Sequence, residues 1–416
     1  MDRALLKRSL DDWMEWYQYS VANLLPRDNQ LILPKKNALA LIGVRRSGKS
    51  SISVNLSKKL KNHTLYYNFE DPLFYTQSSP TDLDDLVSVF TEYWGSPKLL
   101  IFDEIQNVVG WEKWIRKAVD LNRFQIILTG SSAKLLSSEI STSIAGRCLE
   151  ERVWPLSFSE YLRFLNLKPS GINENLRYLR QYLHWGGFPE VALMETEREK
   201  KQLLRQYLND IVLKDVIDRH EIRLKRSLDQ IITHYFVNVS KMHSYTSIKK
   251  AYGINVETAQ EYSQHLSDAF LFFEVSRFHL NLKAQARDPK KIYCVDTGLR
   301  NTHSHSDPTE IGKLAENMVY IHLKRLGLEV SYFKEKGEVD FLITSSGKPI
   351  SAIQVCYSNM DDQETREREV QSLEECLTET ELKQGIILTL SREETITLAG
   401  GKKIECLPLF KWLQKS

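Results

Sequence analysis

The sequence has little cysteine and no long apolar run. Its five cysteines, at positions 148, 294, 356, 376 and 406, are scattered and form no CxxC pair, so their spacing predicts neither a disulfide framework nor a structural zinc site. No stretch approaches the ~18 consecutive apolar residues that a membrane helix needs. The first residues alternate charged and apolar side chains and lack the apolar core of a signal peptide. We therefore expect a cytoplasmic protein without a membrane partner.

The chain also lacks a strong net charge. Lys and Arg number 56 and Asp and Glu number 54, and the resulting net charge of +2 indicates no nucleic-acid partner by itself. Between Arg219 and Lys291, however, there are twelve basic and seven acidic residues. This local excess is typical of a surface that binds a polyanion such as DNA, and equally of a solvated helical surface, so both interpretations stay open.

Strands and helices alternate in the first part of the chain, and helices dominate after Pro155. Apolar strands are predicted at 38–43, 64–70, 98–104 and 125–130, with helical segments between them. This alternation is typical of a parallel sheet covered on both faces. We predict three domains: an α/β domain with an N-terminal helix at 1–155, a helical and winged-helix-like domain at 156–283, and a small α/β domain with a mixed sheet at 284–416.

The segment GVRRSGKS lies between the first predicted strand and a helix and matches the pattern GxxxxGK[ST] in full. Glycines let backbone amides surround phosphate oxygens, and the following helix N-terminus adds a positive dipole end. We expect Lys49 to reach the outer phosphates of ATP and Ser50 to bind Mg²⁺. Arg45 and Arg46 are assigned no catalytic role. The predicted nucleotide-binding residues of this segment are Gly43, Val44, Arg45, Arg46, Ser47, Gly48, Lys49, Ser50 and Ser51.

The segment LLIFDE ends the third predicted strand with two carboxylates. Four apolar residues followed by two charges make a costly strand end unless the charges have a function. We predict that Asp103 holds Mg²⁺ together with Ser50, and that Glu104 is the base that orients and polarises the attacking water. A strand that simply ends in solvent is the alternative. Together with the phosphate loop, these residues predict a P-loop NTPase domain of the AAA-like type.

Residues in two further segments are candidates for roles in ATP hydrolysis. Thr129, Ser131 and Ser132 end the fourth strand, where they could sense the γ-phosphate or form a plain turn. Arg147 precedes the next strand and could stabilise charge in the transition state, across a subunit boundary in a homo-oligomer, or form a surface salt bridge. Both alternatives stay open for each position.

These segments, together with YLHWGGFPEV, IYCVDTGLRN and GKLAENMVYIHL further along the chain, resemble a prokaryotic AAA-type ATPase family whose C-terminal domain has no assigned function. The resemblance covers nearly the whole chain, with the segments in the same order. It implies ATP binding and hydrolysis by the residues named above. The family's biological roles are poorly defined, so the resemblance implies no particular pathway.

Residues 247–279 have the order of a winged helix: a helix, a tight turn at Tyr252–Gly253, a second helix and a β-wing. In such a module the second helix can enter the major groove of DNA. Its outward residues here include Glu257 and Glu261 but no Lys or Arg, which argues against strong attraction to phosphate. DNA contact and a packing role therefore both stay open.

The C-terminal pattern resembles the core of the PD-(D/E)xK nucleases. In that family two carboxylates hold Mg²⁺ and a lysine activates water or steadies charge. Cys356 stands at the lysine position, and because a thiol carries no permanent positive charge near pH 7, we expect a vestigial site that does not cut DNA. The candidate metal-binding residues are Glu316, Asp340 and Gln354. The lysines that could substitute from another strand are Lys334, Lys336 and Lys348.

The sequence as a whole predicts a Mg²⁺-dependent ATPase that uses ATP as a conformational switch or motor, with DNA as the leading partner. Two alternatives stay open. One is an ATP-gated switch that binds another protein and no nucleic acid, and the other is an ATP-coupled DNA nuclease.

Overall fold

The computed structural model describes residues 2–25, 27, 31–74, 79–130, 144, 146–279, 288–304, 310–357, 360 and 362–415. The chain divides into two compact units, Met1–Trp154 and Pro155–Ser416. Within the described ranges, no helix is both long enough and apolar enough to cross a lipid bilayer.

The first unit is built on a five-stranded parallel sheet. Its helices are α1 (Arg3–Asn23), α2 (Lys49–Ser57), α3 (Pro80–Trp94) and α4 (Trp111–Asp120). Its strands are β1 (Ala38–Ile42), β2 (Thr64–Asn68), β3 (Leu99–Asp103), β4 (Gln125–Gly130) and β5 (Cys148–Arg152). The strand order is β2-β3-β4-β1-β5, and every neighbouring pair is parallel. The residues that follow β1, β3 and β4 therefore meet at the carboxyl edge of the sheet.

Burial explains the composition of these elements. Every residue of β1 and β3 is buried, which is why both strands read as continuous apolar runs instead of alternating ones. Helix α1 begins after Asp2, whose carboxylate caps the first turn at the amide of Ala4 (2.8 Å). Its buried residues recur at helical spacing, which fixes the face that packs on the unit: Leu6, Leu10, Met14 and Tyr17.

The second unit begins with helices. They are α5 (Phe158–Phe164), α6 (Ile172–Trp185), α7 (Pro189–Leu193), α8 (Glu197–Asp210), α9 (Asp218–His220), α10 (Lys225–Val237), α11 (Tyr245–Tyr252), α12 (Val256–Asp268) and α13 (Thr297–His303). A π-helical segment, Ile211–Ile217, joins α8 to α9. The strands β6 (Met242–His243), β7 (Phe272–Val275) and β8 (Lys290–Cys294) form an antiparallel sheet in the order β6-β8-β7. Gly253, with φ of 73°, separates α11 from α12.

The second unit ends in a six-stranded mixed sheet. Its strands are β9 (Glu329–Lys334), β10 (Glu338–Ser345), β11 (Lys348–Cys356), β12 (Gln384–Thr389), β13 (Glu394–Thr397) and β14 (Lys403–Pro408), in the order β13-β14-β12-β11-β10-β9. The helices of this part are α14 (Ile311–Arg325), α15 (Gln363–Glu379) and α16 (Leu409–Gln414). Strands β11, β12 and β14 run parallel, and the other neighbouring pairs are antiparallel. The core includes the buried side chains of Val339, Leu342, Leu373 and Ile387.

Candidate functional site

The phosphate loop leaves β1 and enters α2 through two glycines in unusual conformations. Gly43 has φ of 153°, and a Cβ atom there would lie 2.2 Å from the carbonyl oxygen of Val153, so only glycine fits. Gly48 has φ of 97° and caps α2. The buried Lys49 donates its ammonium to the carbonyl oxygens of Gly43 (3.1 Å) and Val44 (3.2 Å). The loop thus curls around the lysine, as a phosphate-binding loop requires.

The loop is also held from outside by the segment that precedes β1. The buried guanidinium of Arg27 donates to the carbonyl oxygens of Ser47 (2.8 Å) and Trp154 (2.9 Å). Arg45 is half-buried and pairs with Glu70 at 3.0 Å. Arg27 is not among the residues predicted from the sequence, because nothing in the chain around it marks a partner 20 residues away.

Both carboxylate oxygens of Asp103, at the end of β3, accept hydrogen bonds. The Tyr66 hydroxyl donates to Oδ2 at 2.6 Å, and the Thr129 hydroxyl donates to Oδ1. The side chain of Ser50 also lies near the Tyr66 hydroxyl. Burial and then the charge of Asp103 raise the pKa of Tyr66 well above its usual value, so this hydroxyl keeps its proton and remains a donor. Tyr66 is not among the residues predicted from the sequence.

Glu104 follows Asp103 in a left-handed backbone conformation, with φ of 54°. Its amide donates to the Thr129 hydroxyl oxygen at 3.2 Å, and its side-chain oxygen accepts a hydrogen bond from Gln106. Burial raises the pKa of Glu104, and the charge of Lys49 opposes that rise. A carboxylate held in a dry site close to a lysine is a good candidate for a proton acceptor.

The donor set at this edge suits a magnesium ion. Asp103 is 2% exposed, and its hydrogen-bond partners Tyr66 and Thr129 are neutral. A buried carboxylate among neutral donors is stabilised by a cation, and Mg²⁺ prefers carboxylate and hydroxyl oxygens. The residues present therefore fit Mg²⁺ at Asp103 and Ser50.

Among the sequence-predicted residues, Lys49, Ser50, Asp103, Glu104 and Thr129 meet at the carboxyl edge of the sheet. Ser51 lies in the first turn of α2, and the exposed Arg46 lies in the loop with φ of 65°. The positions Ser131 and Ser132, predicted to sense the γ-phosphate, lie outside the described residues.

Arg147 lies at the opposite edge of the same sheet. Its carbonyl oxygen accepts from the amide of Ala38, and Ala38 and Cys148 begin the paired strands β1 and β5. Its guanidinium pairs with Asp120 at 2.6 Å. A strand of five residues is about 16 Å long, so a single chain does not bring Arg147 to the phosphate loop.

A cluster of buried charges lies in the second unit, where Lys291 of β8 is 2% exposed. Its ammonium lies 2.7 Å from Asp340, 2.9 Å from Glu338 and 3.0 Å from Glu316. The hydroxyl of Tyr293 donates to Glu316 at 2.7 Å. Burial lowers the pKa of Lys291, but the charges of Asp340 and Glu316 outweigh burial and raise that pKa well above its usual value. The ammonium is therefore charged.

The amide of Gln354 completes this cluster. Its oxygen accepts from the backbone amide of Asp340 (3.0 Å), and its nitrogen donates to Glu369 (2.5 Å). The structure thus brings together the three nuclease-like positions Glu316, Asp340 and Gln354. It corrects one expectation: a cation does lie beside the carboxylates, and it is Lys291 instead of a residue near Cys356. None of the three lysines proposed from the sequence was Lys291.

Comparison with known proteins gives two family matches and several relatives. A model described as an AAA domain matches residues 35–162, and one described as a domain of unknown function (DUF8612) matches residues 176–310. An uncharacterised protein of Methanocaldococcus jannaschii is 34% identical over an alignment 413 residues long, which covers 94% of this chain and 91% of that protein. An uncharacterised protein of Haemophilus influenzae is 29% identical over an alignment 328 residues long, which covers 76% of this chain and 81% of that protein.

Solved structures of low identity also align with the chain. The Thermotoga maritima RuvB Holliday junction branch migration motor is 14% identical, with 65% of this chain and 89% of that chain covered and a TM-score of 0.28. The Aeropyrum pernix ORC1 protein in complex with DNA is 11% identical, with 72% of this chain and 92% of that chain covered and a TM-score of 0.30. At such TM-scores neither likeness supports an inference about what this chain binds.

Proposed function

Because this chain belongs to the same family as the Methanocaldococcus jannaschii protein and carries an AAA domain of the P-loop ATPase family, we propose that it binds ATP with Mg²⁺ and hydrolyses it. One observation carries the proposal: the phosphate loop with Lys49 and the carboxylates of Asp103 and Glu104 meet at one edge of a parallel sheet. The test is ATP turnover by the purified protein, compared with that of Lys49→Ala and Glu104→Gln.

Each residue of the site has one role in the proposed reaction. The loop amides and Lys49 bind the phosphates. Ser50 and Asp103 hold Mg²⁺, which neutralises phosphate charge when it is bound. Glu104 orients the attacking water and accepts its proton. Thr129 fixes the carboxylate of Asp103 and the backbone of Glu104 through its hydroxyl.

We propose that ATP turnover drives a conformational switch or motor that acts on DNA. The support comes from the helix pair α11 and α12 with the sheet β6-β8-β7, which has the element order of a winged helix. Lys249 and Lys250 are exposed at the end of α11 and offer charge for phosphate.

The alternative is an ATP-gated switch that binds a protein. One observation favours it: α12 exposes Glu257, Gln260, Glu261 and Gln264, a face without a basic residue. Such a face repels a phosphate backbone and suits a partner with basic or amide side chains.

DNA-stimulated ATP turnover separates the two functions. If DNA is the partner, duplex DNA raises turnover at low salt, and the double variant Lys249→Ala/Lys250→Ala loses the stimulation. The matched control is Glu257→Ala, which leaves the stimulation in place. If the rate of ATP turnover is the same with and without DNA at every salt concentration, the DNA function is contradicted. A specific protein retained by ATP-bound Glu104→Gln would then identify the partner of the switch.

A further inference from the structure

The Tyr66 hydroxyl lies between the two residues assigned to the metal. It donates to Asp103 Oδ2 at 2.6 Å, and the Ser50 side chain lies near it. Tyr66 is 1% exposed, so its hydroxyl is shielded from bulk water and depends on partners inside the protein. A phenylalanine would pack in the same space and would lack only the hydroxyl. The hydroxyl is therefore the part of Tyr66 that can contribute to the site beyond packing.

The ring of Tyr66 is held by helix α1. It stacks on Trp16, with ring centroids 4.8 Å apart and an angle of 29° between the planes, and on Tyr17 at 5.9 Å and 16°. The Tyr17 hydroxyl lies 2.7 Å from that of Ser57, in the last turn of α2. Helix α1 thus packs against the strand that carries Tyr66 and against the helix that begins at the phosphate loop.

We propose that Tyr66 is a positioning residue of the magnesium site, orienting Asp103 and Ser50 through its hydroxyl while α1 fixes its ring. The proposal rests on the proposed function. Hydrogen bonds to a metal-binding carboxylate fix its orientation, and loss of such an outer contact typically lowers metal affinity. In this role Tyr66 acts through Asp103 and Ser50 and is not itself a ligand of the metal.

The experiment compares Tyr66→Phe with Tyr67→Phe. Tyr67 is the matched control because it is the next residue of β2 and is equally buried, and its hydroxyl forms a hydrogen bond with that of Ser9 (2.7 Å), away from the two metal-binding residues. The affinity for a fluorescent ATP analogue is measured in EDTA and then over a Mg²⁺ titration. We expect wild-type affinity in EDTA for both variants, and a Mg²⁺ half-saturation raised about tenfold or more in Tyr66→Phe alone. Both constants describe the folded molecules and do not depend on how many are folded.

The outcomes separate this inference from the proposed function. An unchanged Mg²⁺ half-saturation in Tyr66→Phe overturns the inference. A loss of affinity in EDTA as large as the loss with Mg²⁺ also overturns it, because it would indicate a merely structural role for Tyr66. Wild-type protein that binds the analogue with no response to Mg²⁺ overturns the magnesium-dependent function itself. Trp16→Leu removes the stacked ring and keeps the hydroxyl, so a smaller rise in half-saturation is expected. If the Mg²⁺ half-saturation of Trp16→Leu does not rise, α1 has no part in positioning Tyr66.

Discussion

The ammonium of Lys291 lies 2.7 Å from the carboxylate of Asp340, and both side chains are nearly inaccessible to water. Glu316 and Glu338 lie within 3.0 Å of the same ammonium. A lysine in this position supplies the positive charge that a metal ion would otherwise bring to these carboxylates. Its burial also keeps it from a phosphodiester backbone. No cleavage is therefore expected for a different reason than the sequence suggested. The carboxylates do not lack a neighbouring cation; the ammonium of Lys291 already occupies the place where a metal ion would bind.

The first prediction is that the second unit does not cut DNA. Plasmid incubated with Mg²⁺ or Mn²⁺, with or without ATP, should stay supercoiled. The assay compares wild type with Asp340→Ala. Cleavage by wild type that disappears in Asp340→Ala would show that the site is catalytically active and would contradict the prediction. Cleavage by both proteins would point to a contaminant. Cys356→Lys restores a lysine at the nuclease-like position and should also remain inactive while Lys291 occupies the carboxylates.

The second prediction concerns the stability that Lys291 provides. Lys291→Met leaves buried carboxylates without their cation and should lower the free energy of unfolding by about 3–5 kcal/mol. The control Lys290→Met removes the neighbouring lysine, which is 29% exposed and pairs with Glu274, and should cost about 1 kcal/mol or less. Urea unfolding measures both variants. Mn²⁺ should restore part of the loss in Lys291→Met and leave wild type unchanged; equal losses in the two variants would refute this assignment.

The third prediction is a loss of stability in acid that depends on His220. The rings of His220 and His265 stack with centroids 3.6 Å apart. Burial and then His265 lower the pKa of His220 to about 4, while Arg219 also lowers it and Asp268 raises it. A histidine in the unfolded chain has a pKa of ~6.5, so the unfolded chain binds more protons between these values. Stability should therefore fall as pH drops from about 6.5 towards 4.

The variant His220→Phe tests that prediction, because it keeps a ring in the stack and removes the titrating group. Denaturant midpoints measured from pH 4.5 to 7.5 should fall less steeply in the variant than in wild type. Identical slopes would show that His220 does not carry the effect.

The sequence was sufficient for the parts of the site that depend on neighbouring residues. Strands predicted at 38–43, 64–70, 98–104 and 125–130 correspond to β1, β2, β3 and β4, because each is buried on both faces and reads as an apolar run. The phosphate loop could be placed because its glycines, lysine and serine lie within eight residues, between a strand and a helix.

Contacts between distant segments could not be predicted in the same way. Lys291 and Asp340 are 49 residues apart, and Tyr66 and Asp103 are 37 apart. Which residues meet depends on strand register and on which face each side chain takes, and a slip of one residue would reverse that face. A lysine at the start of the apolar run IYCV was the only sequence signal for Lys291, and it resembles an ordinary strand boundary.

The fourth prediction is that Arg147, if it contributes to turnover, does so across a subunit boundary. It lies at the amino edge of the sheet and pairs with Asp120, away from its own phosphate loop. Arg147→Ala and Lys49→Ala should each be inactive alone, and their mixture should recover activity because one intact shared site can form. The control is a mixture of the two single variants Lys49→Ala and Glu104→Gln. It should stay inactive, because both residues belong to the site of their own subunit and every site then carries one of the two changes. Dilute monomers that turn over ATP at the full rate would rule the shared site out.

The central claim is tested most directly by measuring nucleotide affinity and phosphate release in parallel for wild type, Lys49→Ala and Glu104→Gln, with the exposed Lys58→Ala as control. We expect Lys49→Ala to bind ATP weakly and release no phosphate, because the phosphates lose their cation. Glu104→Gln should bind ATP like wild type and lose turnover, because only the step that activates water is removed. Lys58→Ala should match wild type in both. Hydrolysis by Glu104→Gln at the wild-type rate would contradict the assignment of the base, and wild-type protein that neither binds nor hydrolyses ATP would contradict the account as a whole.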